Sequence, residues 1–292
     1  LHKEYRRQRQ MCIRDRSYSD RVHTVQLQLI PFFGKKSLKE ILPEDVEVYR
    51  SQRMKRNGKP PSLGTINNDH IILKHVFSVA ERRGLLMVNP AKKVPIPDAK
   101  NERDRVLSDE EWAKLYEAAA SHIKPILLIA YQLGLRLGEI LNLTWDRVDL
   151  QRGFIKLRGV DTKSREPRLV PLARDTQRCL IELSKVRSLS TNRVFLYEGR
   201  PIGEIKGAFK TARKNAGITN FRFHDLRHCA ATNLRRAGVD AITAMKIVGH
   251  KSERMHRRYN NVNEADLLQA AAKLNTVITP AVSSSTTTAV SL

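Results

Sequence analysis

The stretch GLRLGEI at residues 134–140 places one arginine, Arg136, between two glycines in an otherwise apolar part of the chain. A buried arginine costs free energy unless an anion pairs with it. Glu139 lies three residues further on and is one candidate partner. Taken alone, the stretch is typical either of a structural Arg–Glu pair or of an arginine held for an anionic ligand.

The segments around this stretch predict helices interrupted by one β-hairpin. Residues 107–112 (LSDEEW) form a helix N-cap followed by acidic residues, and apolar helices continue to about Leu143. Residues 153–157 and 168–172 predict two strands around a polar turn, and helices are expected from Thr176 to about Leu274. The fold class is therefore mainly α with a small antiparallel β-sheet.

The N-terminal part of the chain also predicts helices. Residues 65–83 carry apolar side chains three and four positions apart, the strongest amphipathic pattern in the sequence. We expect residues 31–34 (PFFG) to break the preceding helix and Ser37 to cap a short one. Asn89-Pro90 is expected to stop the last helix of this part.

Composition and the positions of helix-breaking residues predict how the chain divides into domains. Residues 11–16 (MCIRDR) read like the translation of a transposon-end sequencing adapter, so we set residues 1–16 aside and expect natural sequence from near Ser17. We expect a helical domain at 17–97, a linker at 98–105, a second domain at 106–275 and a disordered Ser/Thr-rich tail at 276–292.

The charge of the chain points to a polyanionic partner. The 292 residues carry a formal net charge of +23. Residues 1–103 hold 22 basic and 11 acidic side chains, and residues 104–275 hold 31 and 19, so the excess is shared almost equally. Nucleic acid is the commonest partner of such a charge, and two basic halves suit two domains closing around a duplex. A generally basic surface or ribosome association remains the alternative.

Cysteine usage and hydropathy set the expected compartment. Cys12, Cys179 and Cys229 are spaced neither for a disulfide framework nor for a zinc site of the CxxC type, which favours a reducing, cytoplasmic setting. No run approaches the roughly 18 apolar residues of a membrane span. The basic start lacks the apolar segment of a secretory signal.

Three further segments carry chemistry-bearing residues. Lys163 lies at the tip of the predicted hairpin, His224 and Arg227 lie one helical turn apart in HDLRH, and His250 precedes Tyr259 by nine residues. His224 and His228 could bind zinc at i, i+4, but no third ligand is placed to complete such a site. The His–Arg pair suits phosphate better.

Two groups of basic residues are candidate contacts to the phosphates of DNA. Lys55, Arg56 and Lys59 lie in a predicted loop between helices, where a solvated turn is the alternative. Arg257 and Arg258 directly precede Tyr259.

Together these segments resemble the tyrosine recombinase (phage integrase) family over roughly residues 17–274. The ordered set is GLRxxE, a hairpin lysine, HxxR, GH and a tyrosine nine residues beyond. His256 and Asn261 depart from residues frequent in the family, outside the catalytic set. The resemblance identifies six catalytic positions, namely Arg136, Lys163, His224, Arg227, His250 and Tyr259.

The resemblance implies a helical core-binding domain and a mixed α/β catalytic domain. It also implies a 3′-phosphotyrosyl intermediate, strand exchange through a Holliday junction, and a homotetramer on two specific double-stranded DNA sites formed from protein that is monomeric when free. The prokaryotic nucleoid is then the expected location.

The chemistry of the residues agrees with such a reaction. A phenol oxygen on Tyr259 can attack phosphorus if His224 accepts its proton, since a tyrosine pKa near 10 is too high for spontaneous ionisation. Arg136 and Arg227 present forks of donors to the charged oxygens, and His250 adds another donor. Lys163 would protonate the leaving 5′-oxygen.

Glu139 would support this set by orienting it. The cationic residues supply the charge that a metal would otherwise bring, and the sequence contains neither a magnesium-type acidic cluster nor a GK[ST] phosphate loop. We therefore expect no cofactor and no metal. A type IB topoisomerase-like nicking-closing enzyme and a non-catalytic DNA-binding remnant of a mobile element are the alternatives.

Overall fold

The computed structural model describes residues 18–53, 58–99, 103, 105–162, 166–250, 267–268 and 271–272. The chain divides into two compact units, residues 1–102 and 103–292. Helices dominate both, and the strands of the described residues are short and antiparallel. The predicted fold class is confirmed. Within the described part of the chain, no helix has both the length and the apolar character that a membrane span requires.

The described residues of the first unit form three α-helices, with a 3-10 turn at Leu38–Glu40 that Ser37 caps as predicted. The amphipathic segment forms the longest of them, and its N-cap is Ser62, whose hydroxyl accepts a hydrogen bond from the Thr65 amide. Apolar side chains of the three helices pack into one core. The helices are α1 (residues 18–33), α2 (Pro43–Gln52) and α3 (Leu63–Arg82).

Of the two predicted helix breaks in this unit, the one at residues 31–34 is confirmed and the one at Asn89-Pro90 is wrong. The first helix continues through Pro31 and ends at Gly34, because a π-helical turn at Val25–Leu29 precedes the proline. Helix α3 ends at Arg82, before Gly84, which has a φ of +71°. Asn89 instead caps a 3-10 turn, its side chain accepting a hydrogen bond from the Ala91 amide at 3.0 Å.

The second unit begins with the predicted capping box. The Ser108 hydroxyl accepts from the Glu111 amide, and the Glu111 carboxylate accepts from the Ser108 amide. The first three helices of the unit are α4 (Asp109–Glu117), α5 (Lys124–Leu133) and α6 (Leu137–Leu141). The later ones are α7 (Arg174–Lys185), α8 (Lys206–Asn215), α9 (Asp225–Arg236) and α10 (Ala241–Val248).

A three-stranded antiparallel sheet follows α6. The predicted hairpin is confirmed as β2 (Phe154–Leu157) and β3 (Arg168–Pro171), in a register that sets Leu157 opposite Arg168. A two-residue strand, β1 (Val148–Asp149), adds to its edge and is too short to give an alternating pattern. The expectation that the chain is helical from Thr176 to about Leu274 is wrong after α7, where β4 (Leu196–Tyr197) and β5 (Arg200–Pro201) form a second hairpin.

Helix α5 lies at the centre of the second unit. It is apolar on most sides, which is typical of a helix surrounded by other elements. Ile126, Leu127 and Ile129 are fully buried and pack with residues from α6, the sheet and α9. Because α5 ends at Gly134 and α6 begins after Arg136, this core fixes the backbone that carries Arg136.

Ile126→Ala is expected to lower the free energy of unfolding of the second unit by about 3 kcal/mol, since it leaves a cavity beneath α5. Urea titration followed by tryptophan fluorescence measures this, because both tryptophans, Trp112 and Trp145, lie in that unit. Leu189→Ala, at a fully exposed side chain, is the control. Equal losses in the two variants would contradict the described core.

Candidate active site

Arg136 occupies the N-cap of α6, two residues after the left-handed Gly134 that ends α5. Its Nη1 donates to Glu139 Oε1 at 2.8 Å, and its backbone amide donates to Glu139 Oε2 at 3.0 Å. The Arg136 side chain is 22% exposed, whereas that of Glu139 is 3% exposed. The expected Arg–Glu pair is therefore present, with its arginine still reaching the surface.

Arg227 lies in the first turn of α9 and is buried. Its Nη1 donates to the carbonyl oxygen of Gly134 at 2.7 Å, and its Nη2 donates to the carbonyl oxygen of Gly249 at 3.2 Å. Arg136 Nη2 donates to the same Gly249 oxygen at 3.3 Å. Two arginines that are far apart in the sequence thus converge on one acceptor.

Gly249 has the backbone conformation that this convergence requires. It ends α10 with φ +79°, in the left-handed region that side chains other than glycine rarely adopt. A β-carbon at this position would lie 2.4 Å from Arg168 Nη1. The backbone angles of Gly249 therefore favour glycine in the GH motif, and a β-carbon there would displace the guanidinium of Arg168.

The histidines of the predicted site lie beside these arginines in the chain. His224 is exposed at the start of α9, and the following Asp225 is buried. Asp225 holds this turn, since its carboxylate accepts from Arg103 Nη2 at 2.9 Å and from the Arg222 amide at 2.8 Å. His250 is buried directly after Gly249.

The hairpin that carries Lys163 is held at its base. The Thr162 hydroxyl donates to the Glu166 carbonyl oxygen at 3.0 Å, which joins the two arms of the hairpin. Asp161 forms an ion pair with the buried Arg147. These contacts fix residues 162 and 166, between which Lys163 lies in the sequence.

Several of the predicted site residues lie outside the described residues, while Lys59 is described and exposed. The predicted site residues outside the described ranges are Lys55, Arg56, Lys163, Arg257, Arg258 and Tyr259. Among the described site residues, the structure brings together Arg136, Glu139, Arg227 and the Gly249-His250 turn.

Arg168 is a site residue that sequence reasoning missed. Its Nη2 donates to Glu139 Oε2 at 2.7 Å, and its side chain is 9% exposed. The signal was present in the strand, because alternation sets Arg168 on the same side as the buried Val170. An arginine on the inward side of a strand requires an anion.

The cluster of arginines around Glu139 carries a net positive charge. Burial raises the pKa of Glu139, but the charge of Arg168 and the hydrogen bonds from Arg136 and Arg168 outweigh it and hold the pKa below its ordinary value. Glu139 is therefore ionised at neutral pH. The three guanidiniums of Arg136, Arg168 and Arg227 exceed the single charge of the carboxylate between them, which favours an anionic ligand.

The zinc alternative rests on His224 and His228, whose ring centroids are 6.1 Å apart. Within the described part of the chain, no group of three or more His, Cys, Asp or Glu side chains is arranged to hold a metal ion. Burial lowers the pKa of His228 to about 4, so this histidine is neutral at pH 7.

Comparison with known proteins indicates the phage integrase family over more than half of the chain. The model of the phage integrase family matches residues 105–266. The integrase of Salmonella phage P22 is 29% identical over 233 residues, covering 75% of this chain and 59% of that protein. The shufflon-specific DNA recombinase of Escherichia coli is 30% identical over 242 residues, covering 80% and 61%. The chain thus spans about six tenths of the length of these two relatives.

A solved structure supports the fold. The crystal structure of a lambda integrase dimer bound to a core site superposes with a TM-score of 0.71 at 18% identity, covering 89% of this chain and 95% of that one. At this level of identity the match describes the fold alone.

Glu139→Gln is expected to lower the free energy of unfolding by about 3 kcal/mol, because it leaves the buried Arg168 without a counter-charge. Tryptophan fluorescence during urea unfolding at pH 7 measures the loss. Glu182→Gln is the matched control, since the Glu182–Lys185 pair is exposed and is worth less than about 1 kcal/mol. Similar small losses in both variants would contradict a buried, shared carboxylate.

His228→Gln is expected to make stability less sensitive to acid between pH 6.5 and pH 4. The pKa of His228 is about 4 in the folded protein against an ordinary 6.5, so the unfolded chain binds the proton first as the pH falls, and stability is lost across this window. Urea titrations at several pH values test this, with His122→Gln as the control. A pH profile parallel to the wild type would contradict the assignment.

Proposed function

We propose that this chain, which belongs to the phage integrase family of tyrosine recombinases, is a site-specific DNA recombinase. The family model covers more than half of the chain. The proposed reaction cuts and rejoins DNA strands through a covalent 3′-phosphotyrosyl intermediate. Its substrate is double-stranded DNA carrying a specific recombination site, such as the ends of a phage or another mobile element.

One observation supports this proposal most strongly. Arg136 and Arg227 donate to one carbonyl oxygen, that of Gly249, at 3.3 and 3.2 Å. Two nitrogens that share an acceptor at these distances are close enough for one phosphate group to bridge them. Rigid donors fixed before the reaction stabilise the charge that develops on the non-bridging oxygens of the pentavalent phosphate.

The proposed reaction begins with the tyrosine. The Tyr259 hydroxyl oxygen attacks phosphorus while His224 accepts the phenol proton, and a phosphotyrosyl bond forms as the bond to the 5′-oxygen breaks. Lys163 gives a proton to that leaving oxygen. The exposure of His224 at the start of α9 is compatible with contact to DNA.

The other residues of the proposed site act on the phosphate. Arg136 and Arg227 bind its non-bridging oxygens, and His250 supplies an additional hydrogen bond. Glu139 orients Arg136 through the hydrogen bonds to its amide and guanidinium. The reverse attack by a 5′-hydroxyl restores the phosphodiester and releases the tyrosine, so no cofactor is consumed.

The domain roles form part of the proposal. We assign residues 17–97 to core-site binding, 98–105 to the linker and 106–275 to catalysis, an assignment supported by the two compact units. Lys55, Arg56, Lys59, Arg257 and Arg258 are proposed to contact DNA phosphates. The net charge of +23 supports such binding. Recombination then takes place in the prokaryotic cytoplasm, at the nucleoid, in a tetramer on two DNA sites.

A nicked suicide duplex tests the reaction. The duplex carries the end sequence of the mobile element, and the nick lets the short 5′-hydroxyl product diffuse away, so that a covalent adduct accumulates in the presence of EDTA. Wild-type protein is expected to form the adduct, and Tyr259→Phe to form none. Arg136→Ala and Arg227→Ala are each expected to cleave about 100-fold more slowly, since each removes a fixed donor.

Leu189→Ala is the control for the adduct assay, because its side chain is fully exposed and apolar. Adduct formation by Tyr259→Phe, or a strict requirement for Mg²⁺, would contradict the proposed mechanism. Relaxation of an arbitrary supercoiled plasmid without recombination would favour a topoisomerase-like enzyme. Tight DNA binding without any adduct would favour a non-catalytic remnant.

A further inference from the structure

Glu139 is shared between two arginines, of which the proposed mechanism uses one. Its Oε1 accepts from Arg136 Nη1 at 2.8 Å, and its Oε2 accepts from the Arg136 amide at 3.0 Å and from Arg168 Nη2 at 2.7 Å. A longer contact of 3.5 Å joins Arg168 Nη1 to Oε1. Donors on both oxygens fix the plane of the carboxylate, and the carboxylate in turn fixes the guanidinium of Arg136.

Arg168 is held in place by its strand. It is the first residue of β3 and pairs with Leu157 of β2, so its backbone is fixed by the register of the hairpin. Its side chain is almost fully buried, whereas that of Arg136 is about one-fifth exposed. Arg168 therefore faces the carboxylate from inside the protein, and Arg136 faces it from the surface.

Arg168 also packs against the turn that carries the shared acceptor. Its Nη1 lies 2.4 Å from the point where a β-carbon on residue 249 would be, so the guanidinium covers the Cα of Gly249. The carbonyl oxygen of Gly249 is the acceptor for both Arg136 and Arg227. One side chain thus contacts both groups that hold Arg136, namely Glu139 and the Gly249 turn.

We infer that Arg168 is a positioning residue, which orients Arg136 toward the scissile phosphate through Glu139 and Gly249 without touching DNA. This inference rests on the proposed function. A buried Arg–Glu pair is weak evidence of stabilisation, because well-packed apolar side chains often stabilise as much. Orientation of a reactive neighbour is a role that an apolar side chain cannot replace.

The test compares two substrates in single-turnover cleavage by the 292-residue chain. One is the nicked duplex described above, and the other carries a methylphosphonate at the mapped scissile position, which lacks one charged non-bridging oxygen. Arg168→Met is expected to slow cleavage of the phosphodiester about tenfold, since Arg136 is misaligned, and to slow the methylphosphonate far less. A purely structural defect would slow both equally.

Arg105→Met is the matched control, because Arg105 pairs with Glu111 in the same unit, outside the site. It is expected to leave the ratio of the two rates at the wild-type value. Equal slowing of both substrates by Arg168→Met, or no slowing of either, would overturn the inference.

A second measurement does not depend on cleavage. The carboxyl carbon of Glu139, followed by NMR during an acid titration, is expected to report a higher pKa in Arg168→Met than in the wild type, because the charge of Arg168 and its hydrogen bond lower that pKa. An unchanged pKa would overturn the inference. A wild-type protein that forms no adduct would instead contradict the proposed function, and the titration would still decide whether Arg168 holds Glu139.

Discussion

The site depends on the buried carboxylate of Glu139, which bonds two guanidiniums at once. Burying a carboxylate or an arginine alone costs several kcal/mol, so each of Glu139 and Arg168 makes the burial of the other possible. Arg136 binds the same carboxylate from the surface side. The result is an arginine that is held from within yet reaches solvent, as the proposed binding of a phosphate requires.

The backbone provides the second constraint, through two left-handed glycines. Gly134 ends α5 and Gly249 ends α10, and both carbonyl oxygens accept hydrogen bonds from Arg227. Neither position has room for a larger residue without displacing a neighbour, since a β-carbon on Gly134 would lie 3.1 Å from that of Ala230. Helix ends, rather than helix faces, therefore orient the arginines, and the apolar core around α5 keeps those ends in place.

Much of this could be predicted from local sequence, and the rest depends on tertiary contacts. Helix α3 and the β2–β3 hairpin have clear periodicity, and the order of the motifs alone indicates the family that the family model confirms. The β4–β5 hairpin was missed because its strands have two residues each, and the end of α3 was misplaced because Gly84, not Pro90, ends the helix. Alternation in β3 places Arg168 on the inward side of its strand, but its partner is 29 residues away and could not be identified from any local pattern.

In the proposed reaction, Arg136 and Arg227 are fixed before DNA binds and hold one phosphate. A crystal structure of the Tyr259→Phe variant bound to its recombination-site duplex tests this most directly. We predict that both guanidiniums will contact the non-bridging oxygens of a single phosphate, with Glu139 still between Arg136 and Arg168 as it is here. Arginines bound to two different phosphates, or an Arg136 that has left Glu139 to reach the DNA, would contradict the claim.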